Sequence, residues 1–154
     1  MYYNNEKDRK SIYAARSTNL YNWENVGKVT DDKAGEGPKV FYWKKQYFMI
    51  VDNWNGQGVY SSKDLKNWTR QKENILQIPG KGQDDGTNGL HADVLINKDK
   101  AYIFYFTHPG RTDENKQNNS YETRRSSIQV AEVEYKDGVI VCDRDKPVYI
   151  NLKK

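Results

Sequence analysis

The sequence predicts an all-β fold of repeated, four-stranded antiparallel units, and three observations carry that prediction. The first is a long repeat. Glu36-Gly37-Pro38 and the apolar run Val40 to Trp43 turn at Lys44 to Gln46 into a second run that ends on Asp52. The same plan returns at His91-Ala92-Asp93, with Val94 to Ile96, a turn at Asn97 to Asp99, and Ala101 to Phe106. Placing His91 on Glu36 gives an offset of 55 residues, which puts Val40 on Leu95 and Tyr47 on Tyr102. The second observation is a shorter repeat. Ser17-Thr18-Asn19-Leu20-Tyr21-Asn22-Trp23 reappears 45 residues later as Ser62-Lys63-Asp64-Leu65-Lys66-Asn67-Trp68. The third is composition: twelve Tyr and four Trp fall largely in short runs between Gly, Asn and Asp clusters, which favours strands over helices. Self-similarity at this period marks a propeller or solenoid, and four strands fit each period, as in a propeller blade. The chain reads as a partial β-propeller of about two and a half blades.

Taken in order, Met1-Tyr2-Tyr3 is strand-like, Asn4 to Lys10 is a polar turn and Ser11 to Ala15 is a second strand. Matching Trp23 to Trp68 makes these the second and third strands of a blade, with Trp23 to Val29 as its outer strand. This incomplete blade covers residues 1–30, and its inner strand is absent. A complete blade spans 36–78. Its inner strands are apolar on both faces, as expected where sheets stack, and its outer strands are Gly58 to Ser61 and Trp68 to Ile75. Pro79 to Gly89 is Gly-rich, but no helix follows to complete a phosphate cradle, so it reads as an inter-blade connection. The next blade spans 91–150 with a polar insertion at 108–123. Ala131, Val133 and Tyr135 alternate with Glu132 and Glu134 in a half-buried outer strand, and Lys136-Asp137-Gly138 turns it into Val139 to Val141. The whole, 1–154, forms one domain. Its end faces, around Ile12 and Tyr13 and around Tyr105 and Val130, are expected to be exposed and to drive self-association.

Composition narrows the function classes. The 25 basic and 21 acidic residues are interspersed, so the net charge of +4 reads as ordinary solubility and not as a nucleic-acid footprint. A single Cys142 excludes an intrachain disulfide and a Cys-rich metal site. No apolar run is long enough for a membrane span, and the N-terminus lacks the charged-then-apolar form of a signal peptide.

The first strand of a propeller blade lines the central channel, and ligands sit at one mouth of it. The 55-residue alignment puts Glu36 and His91 at the same mouth. Asp93 lies two residues on, on the same side of the pleat as His91. Asp52-Asn53-Trp54 and Thr107-His108-Pro109 align with one another at one end of their blades. A carboxylic acid near an apolar wall, with a second carboxylate nearby, is suited to protonating a leaving group, as glycoside hydrolysis requires. Trp43, Trp54, Tyr42 and Tyr47 offer stacking faces for sugars. Blander readings stand beside these: Glu36 as a solvated turn residue, Asp52 bonding turn amides, and Trp23 and Trp68 as inter-blade packing. His91 and His108 have no neighbouring His or Cys to make a metal site.

Glu36-Gly37-Pro38 with the aromatic strand after it, together with Ser62-Lys63-Asp64-Leu65-Lys66-Asn67-Trp68, resembles the glycoside hydrolase family 43 type of five-bladed β-propeller, a group related to families 32, 68 and 117. Gly89-Leu90-His91-Ala92-Asp93-Val94, Tyr102 to Arg111 and Thr123 to Val130 look like a bacterial branch of that group. The resemblance implies that Glu36 is the general acid, that hydrolysis inverts the anomeric centre, and that carbohydrate is the partner. His91, Asp93, Arg125, Asp52, Trp54 and His108 are then the candidate sugar contacts. The family's aspartate base and its pKa-modulating aspartate lie on earlier blades and have no counterpart here. The chain therefore reads as the C-terminal half of such an enzyme, inactive alone. The alternative is a non-catalytic carbohydrate-binding or assembly module that retains the pocket. No cofactor, nucleic acid or membrane is implied. The sequence lends no support to a channel-bound calcium and does not set the compartment.

Overall fold

Alternating apolar positions and tight polar turns lay down three antiparallel meanders. The computed structural model describes residues 1–150, so the last four positions of the expected 1–154 unit lie outside the described residues. The strands are β1 (Tyr2–Asn5), β2 (Ser11–Arg16), β3 (Glu24–Thr30), β4 (Glu36–Trp43), β5 (Gln46–Asp52), β6 (Gln57–Ser62), β7 (Thr69–Arg70), β8 (Leu90–Asn97), β9 (Lys100–Thr107), β10 (Ser127–Lys136) and β11 (Val139–Cys142). The helical pieces are a three-residue 3₁₀ turn, Glu6–Asp8, and the single-turn α1 (Tyr121–Arg124) within the insertion. Sheet order follows chain order: β1-β2-β3, β4-β5-β6-β7 and β8-β9-β10-β11. The fold is all-β, an arc of stacked blades that is not closed into a ring.

The middle sheet is packed on both faces. Phe41, Trp43, Phe48, Ile50, Val59 and Ile75 meet Val94, Ala101, Ile103, Tyr105, Ala131, Val133 and Ile140 of the third sheet and its surroundings. On its other face, Met49, Val51 and Tyr60 meet Ile12 of the first sheet, with Tyr2, Val29, Val40 and Trp68 around them. Burying side chains of this size contributes about 1.5–3 kcal/mol each, which makes the two inter-sheet layers the main stabilising term. Ile12 and Tyr105, expected on exposed end faces, are instead buried in these layers. Open apolar surface on the third sheet comes from Leu95, Tyr135, Val139 and above all Ile128, which is 81% exposed. Tyr42 also points outward, so β4 is not buried on both faces along its whole length.

The sequence repeats have a physical origin. In the shorter one, Ser17 Oγ accepts the N–H groups of Asn19 and Leu20, and Asn19 Oδ1 accepts those of Tyr21 and Asn22. Ser62 Oγ and Asp64 Oδ1 do the same for Asp64, Leu65, Lys66 and Asn67. Each turn then takes a left-handed leucine, and the indole of Trp23 or Trp68 donates back to that leucine's carbonyl. Bonds from the Asn67 and Lys66 amides hold the Asp64 carboxyl well below the usual carboxylate range. Trp68 packs edge-on against Tyr2 of the neighbouring sheet, whereas Trp23 is largely exposed and does not bridge sheets.

The longer repeat is one residue out of step with its apolar pattern. Val40 opposes Met49 and Val94 opposes Ile103, while Trp43 opposes Gln46 and Asn97 opposes Lys100. The two hairpins therefore superpose at 54 residues (Val40 to Val94), not 55. Glu36 falls on Leu90, and His91 falls on Gly37. A one-residue slip exchanges the faces of every side chain, but strands apolar on both faces cannot report it. Both hairpins carry the same bulge, between Glu36 and Lys39 and between Leu90 and Asp93. The outer strand expected over Trp68 to Ile75 is also shorter. β7 has two residues, and the chain rejoins the sheet through an isolated bridge of Ile75 to Gln57.

The connection 79–89 is locked by a buried ion pair. Arg144, beyond β11, donates from Nε to Asp85 Oδ2 (2.9 Å) and to the Tyr105 hydroxyl (3.2 Å), and its Nη2 meets Asp85 Oδ1. Its Nη1 donates to the carbonyls of Ile78 (3.1 Å) and Thr87 (2.9 Å).

Candidate carbohydrate site at the bulged strand starts

The two bulges place the first residues of β4 and β8 side by side. Glu36 stands opposite Asp52 in the β4–β5 register, and its side chain is 25% exposed. Gly37 follows with φ +54°, and a Cβ there would lie 3.2 Å from the His91 ring, so this position accepts only glycine without displacing the imidazole. Glu36 Oε2 lies 3.8 Å from His91 Nε2. The expected convergence of Glu36 and His91 is thus present although the alignment that suggested it is off by one. The sheets bring both to one rim as near neighbours rather than as equivalent positions.

Asp52 lies beneath this rim and is 1% exposed. Its Oδ2 accepts the His91 backbone N–H (2.8 Å) and meets His91 Nδ1 (2.7 Å), and its Oδ1 accepts the Trp54 N–H (2.7 Å). A carboxylate so enclosed has no surface for a sugar, and Asp52 is removed from the expected contacts. Trp54 does face solvent, at 46% exposure, with Lys10 Nζ 5.0 Å from its ring centre. The same Lys10 ammonium pairs with Glu36 Oε1. Lys10 was indicated by nothing in the sequence beyond a place in the first polar turn. Contact across sheets brings it to the rim.

His91 continues into a row of rings. It lies 6.0 Å from Phe106, which lies 5.2 Å from His108. His108 Nδ1 is 3.0 Å from the Arg125 carbonyl and 3.3 Å from Ser126 Oγ. Arg125 itself is committed elsewhere. Its guanidinium makes a two-pronged bond to Asp84 (3.1 and 3.0 Å), and its Nε donates to Glu122. That pairing holds the Asp84 carboxyl below its ordinary range and the guanidinium above its own. Asp93 is exposed and pairs with Lys39 (3.0 Å), its register counterpart in the neighbouring blade.

Two open cavities lie near this rim, one lined by His91 and the other by Trp54. One, of 430 Å³, is lined by Gly37, Lys39, His91, Asp93, Phe104 and Ile128 among others. The other, of 590 Å³, includes Trp54, Asn88, Leu90, His108, Arg111 and Lys116. Arg111 and Lys116 arrive on the polar insertion, whose sequence signalled a loop but no role. The first recess has Phe104, Phe106 and Ile128 in its wall, and the second sets Trp54 beside Arg111, Lys116 and Asp113.

No family model and no curated protein matches the sequence. Solved structures do match the fold. A thermostable family-43 glycoside hydrolase superposes with a TM-score of 0.59 at 17% identity, over 90% of this chain and 49% of its own. An endo-arabinase from Bacteroides thetaiotaomicron gives 0.59 at 18% identity, over 88% of this chain and 46% of its own. A family-32 β-fructofuranosidase from Bombyx mori gives 0.51 at 18% identity, over 93% of this chain and 33% of its own. The chain thus spans half or less of the structures it matches. It has the fold of the glycoside hydrolase propellers of families 43 and 32, as an arc of that propeller.

Proposed function

We propose that this arc is the acid-bearing part of a glycosidase-type propeller and that its rim takes a carbohydrate. The observation behind the reading is the meeting of Glu36 and His91 on one rim, with the exposed Trp54 joined to Glu36 through Lys10 and open cavities lined by His91 and by Trp54 beside them. In this reading the blades are residues 1–30, 36–78 and 91–150 of a single domain. Glu36 gives its proton to the glycosidic oxygen as the bond breaks, and a water activated by a separate carboxylate attacks the opposite face, inverting the anomeric centre. None of this chain's residues is assigned the base, so the chain alone is expected to bind sugar without turning it over. The endo-arabinase and the β-fructofuranosidase make arabino- and fructo-oligosaccharides the first ligands to try.

The test is Glu36→Gln in a protein that joins this arc to a base-bearing half. Loss of general acid catalysis should cost about 10²–10⁴-fold on substrates with poor leaving groups and little on those with good ones. Equal losses on both would overturn the acid assignment.

One contact favours the second reading, a non-catalytic carbohydrate-binding or assembly module. The Lys10 ammonium already occupies Glu36 Oε1, so that oxygen is committed to an ion pair and not to a leaving group. Lys10→Met separates the two readings: gain of hydrolysis in the joined protein supports the acid, and unchanged sugar binding with no hydrolysis supports the module. Among the described residues β1 pairs only with β2, and Ile128 is open on the third sheet. Self-association through these surfaces is therefore proposed as well, and a monodisperse monomer in light scattering at micromolar concentration would count against it.

A further inference from the structure

Two bulky residues at the rim hold backbone conformations that L side chains rarely adopt. Trp54 has φ +58° and His91 has φ +27°. Such strain persists only where the surroundings fix it, and it collects where a side chain must be aimed. One buried group holds both. The N–H of Trp54 and the N–H of His91 each donate to the Asp52 carboxylate, one to each oxygen.

The same carboxylate also decides the chemistry of the His91 ring. Asp52 Oδ2 is 2.7 Å from Nδ1, and an ionised carboxylate only accepts. Nδ1 must therefore carry the ring proton, and the neutral imidazole then holds its lone pair at Nε2. Gly37 beneath the ring and Phe106 beside it fix the plane. Nε2 is the atom that faces Glu36 Oε2, across 3.8 Å, at the edge of the 430 Å³ cavity.

We propose that Asp52 is a positioning residue that makes the rim a pair of hydrogen-bond acceptors, His91 Nε2 and Glu36 Oε2, for the hydroxyl protons of a polyol. The inference is set at the rim described above, but it does not require that the rim hydrolyse anything. Without Asp52 as a pure acceptor, Nε2 would gain the proton and turn to donate to Glu36. The rim would then close on itself.

The experiment is long-range ¹⁵N–¹H correlation spectroscopy of the imidazoles at alkaline pH, where the rings are neutral. The chain has two histidines, so His91 is assigned by comparison with His91→Gln. In the unmodified protein His91 should show a protonated Nδ1 and an unprotonated Nε2; a protonated Nε2 would overturn the proposal without any variant. Asp52→Leu, of similar shape but with no acceptor, leaves the Trp54 N–H, the His91 N–H and His91 Nδ1 without their common partner. It should lose the Nδ1-protonated signature at His91 while the His108 signals stay in place. Retention of that signature in Asp52→Leu would equally overturn the proposal. Should the variant fail to fold, the unmodified spectrum still decides. Arabino-oligosaccharide titration of the unmodified protein is a separate readout: a confirmed tautomer with no binding would overturn the polyol as the occupant together with the proposed function, and would leave only the positioning of His91 by Asp52.

Discussion

Replacing Asp85 by Ala should be among the most damaging single changes in the molecule. Asp85 and Arg144 have side chains 4% and 5% exposed, so the variant leaves a guanidinium buried without its counter-charge. The Tyr105 hydroxyl loses its acceptor in the same step. Breaking a buried pair from one side costs about 3–5 kcal/mol, because the remaining charge stays desolvated. With a urea m-value of about 2 kcal/mol/M, the unfolding midpoint should fall by about 1.5–2.5 M. The double variant Asp85→Ala/Arg144→Met should recover a large part of that loss, since removing both charges removes the desolvation cost as well. The assay is urea unfolding followed by Trp fluorescence. A single-variant shift under about 0.3 M, against that m-value, would mean that the pair is solvated and that the 79–89 connection is held by other contacts.

Three further outcomes follow. Burial pushes the Cys142 thiol up to about 12, so alkylation by iodoacetamide at pH 8 should be at least about a thousandfold slower in the folded protein than in urea; rates within tenfold would contradict it. Burial, reinforced by Asp32, pushes the Tyr60 hydroxyl up to about 12. Because the folded value is the raised one, its stabilisation is fully present below the unfolded value near 10 and is lost as pH rises from there towards 12. Urea midpoints should therefore fall more steeply across that window than in Tyr60→Phe, and parallel curves would refute the attribution. Gly37→Ala should cost about 1 kcal/mol, because alanine is strained at φ +54° and its Cβ meets the His91 ring; unchanged His91 ring signals would contradict the packing.

Much of the fold was legible because its causes are local. Ser17–Trp23 and Ser62–Trp68 repeat because each turn is closed by its own Ser and Asn or Asp side chains, and such chemistry is written in adjacent residues. The hairpin register was not legible. Tyr47 and Tyr102 align attractively at 55 residues, but runs that are apolar on both faces have no polar alternation to expose a slip, and the bulges behind Glu36 and Leu90 leave no mark of their own. At the site, residue types pointed to the rim and tertiary placement redistributed the roles. Asp52 turned inward to hold His91 and Trp54, Arg125 was taken by Asp84, and Lys10 entered from another sheet. The Arg144–Asp85 clasp joins residues 59 positions apart, and no pattern in the sequence connects them.

The most direct test of the carbohydrate rim is a titration of the unmodified chain with arabino- and fructo-oligosaccharides, following the indole N–H signals of the four tryptophans by NMR. Trp54 stands at the rim, Trp43 is buried between sheets, and Trp23 and Trp68 lie in the repeated turns. The expected result is a saturable shift of Trp54, with the His91 ring signals moving at the same midpoint and the other three indoles still. Shifts confined to Trp23 or Trp68, or no saturable shift with either sugar class, would contradict a carbohydrate site at Glu36 and His91.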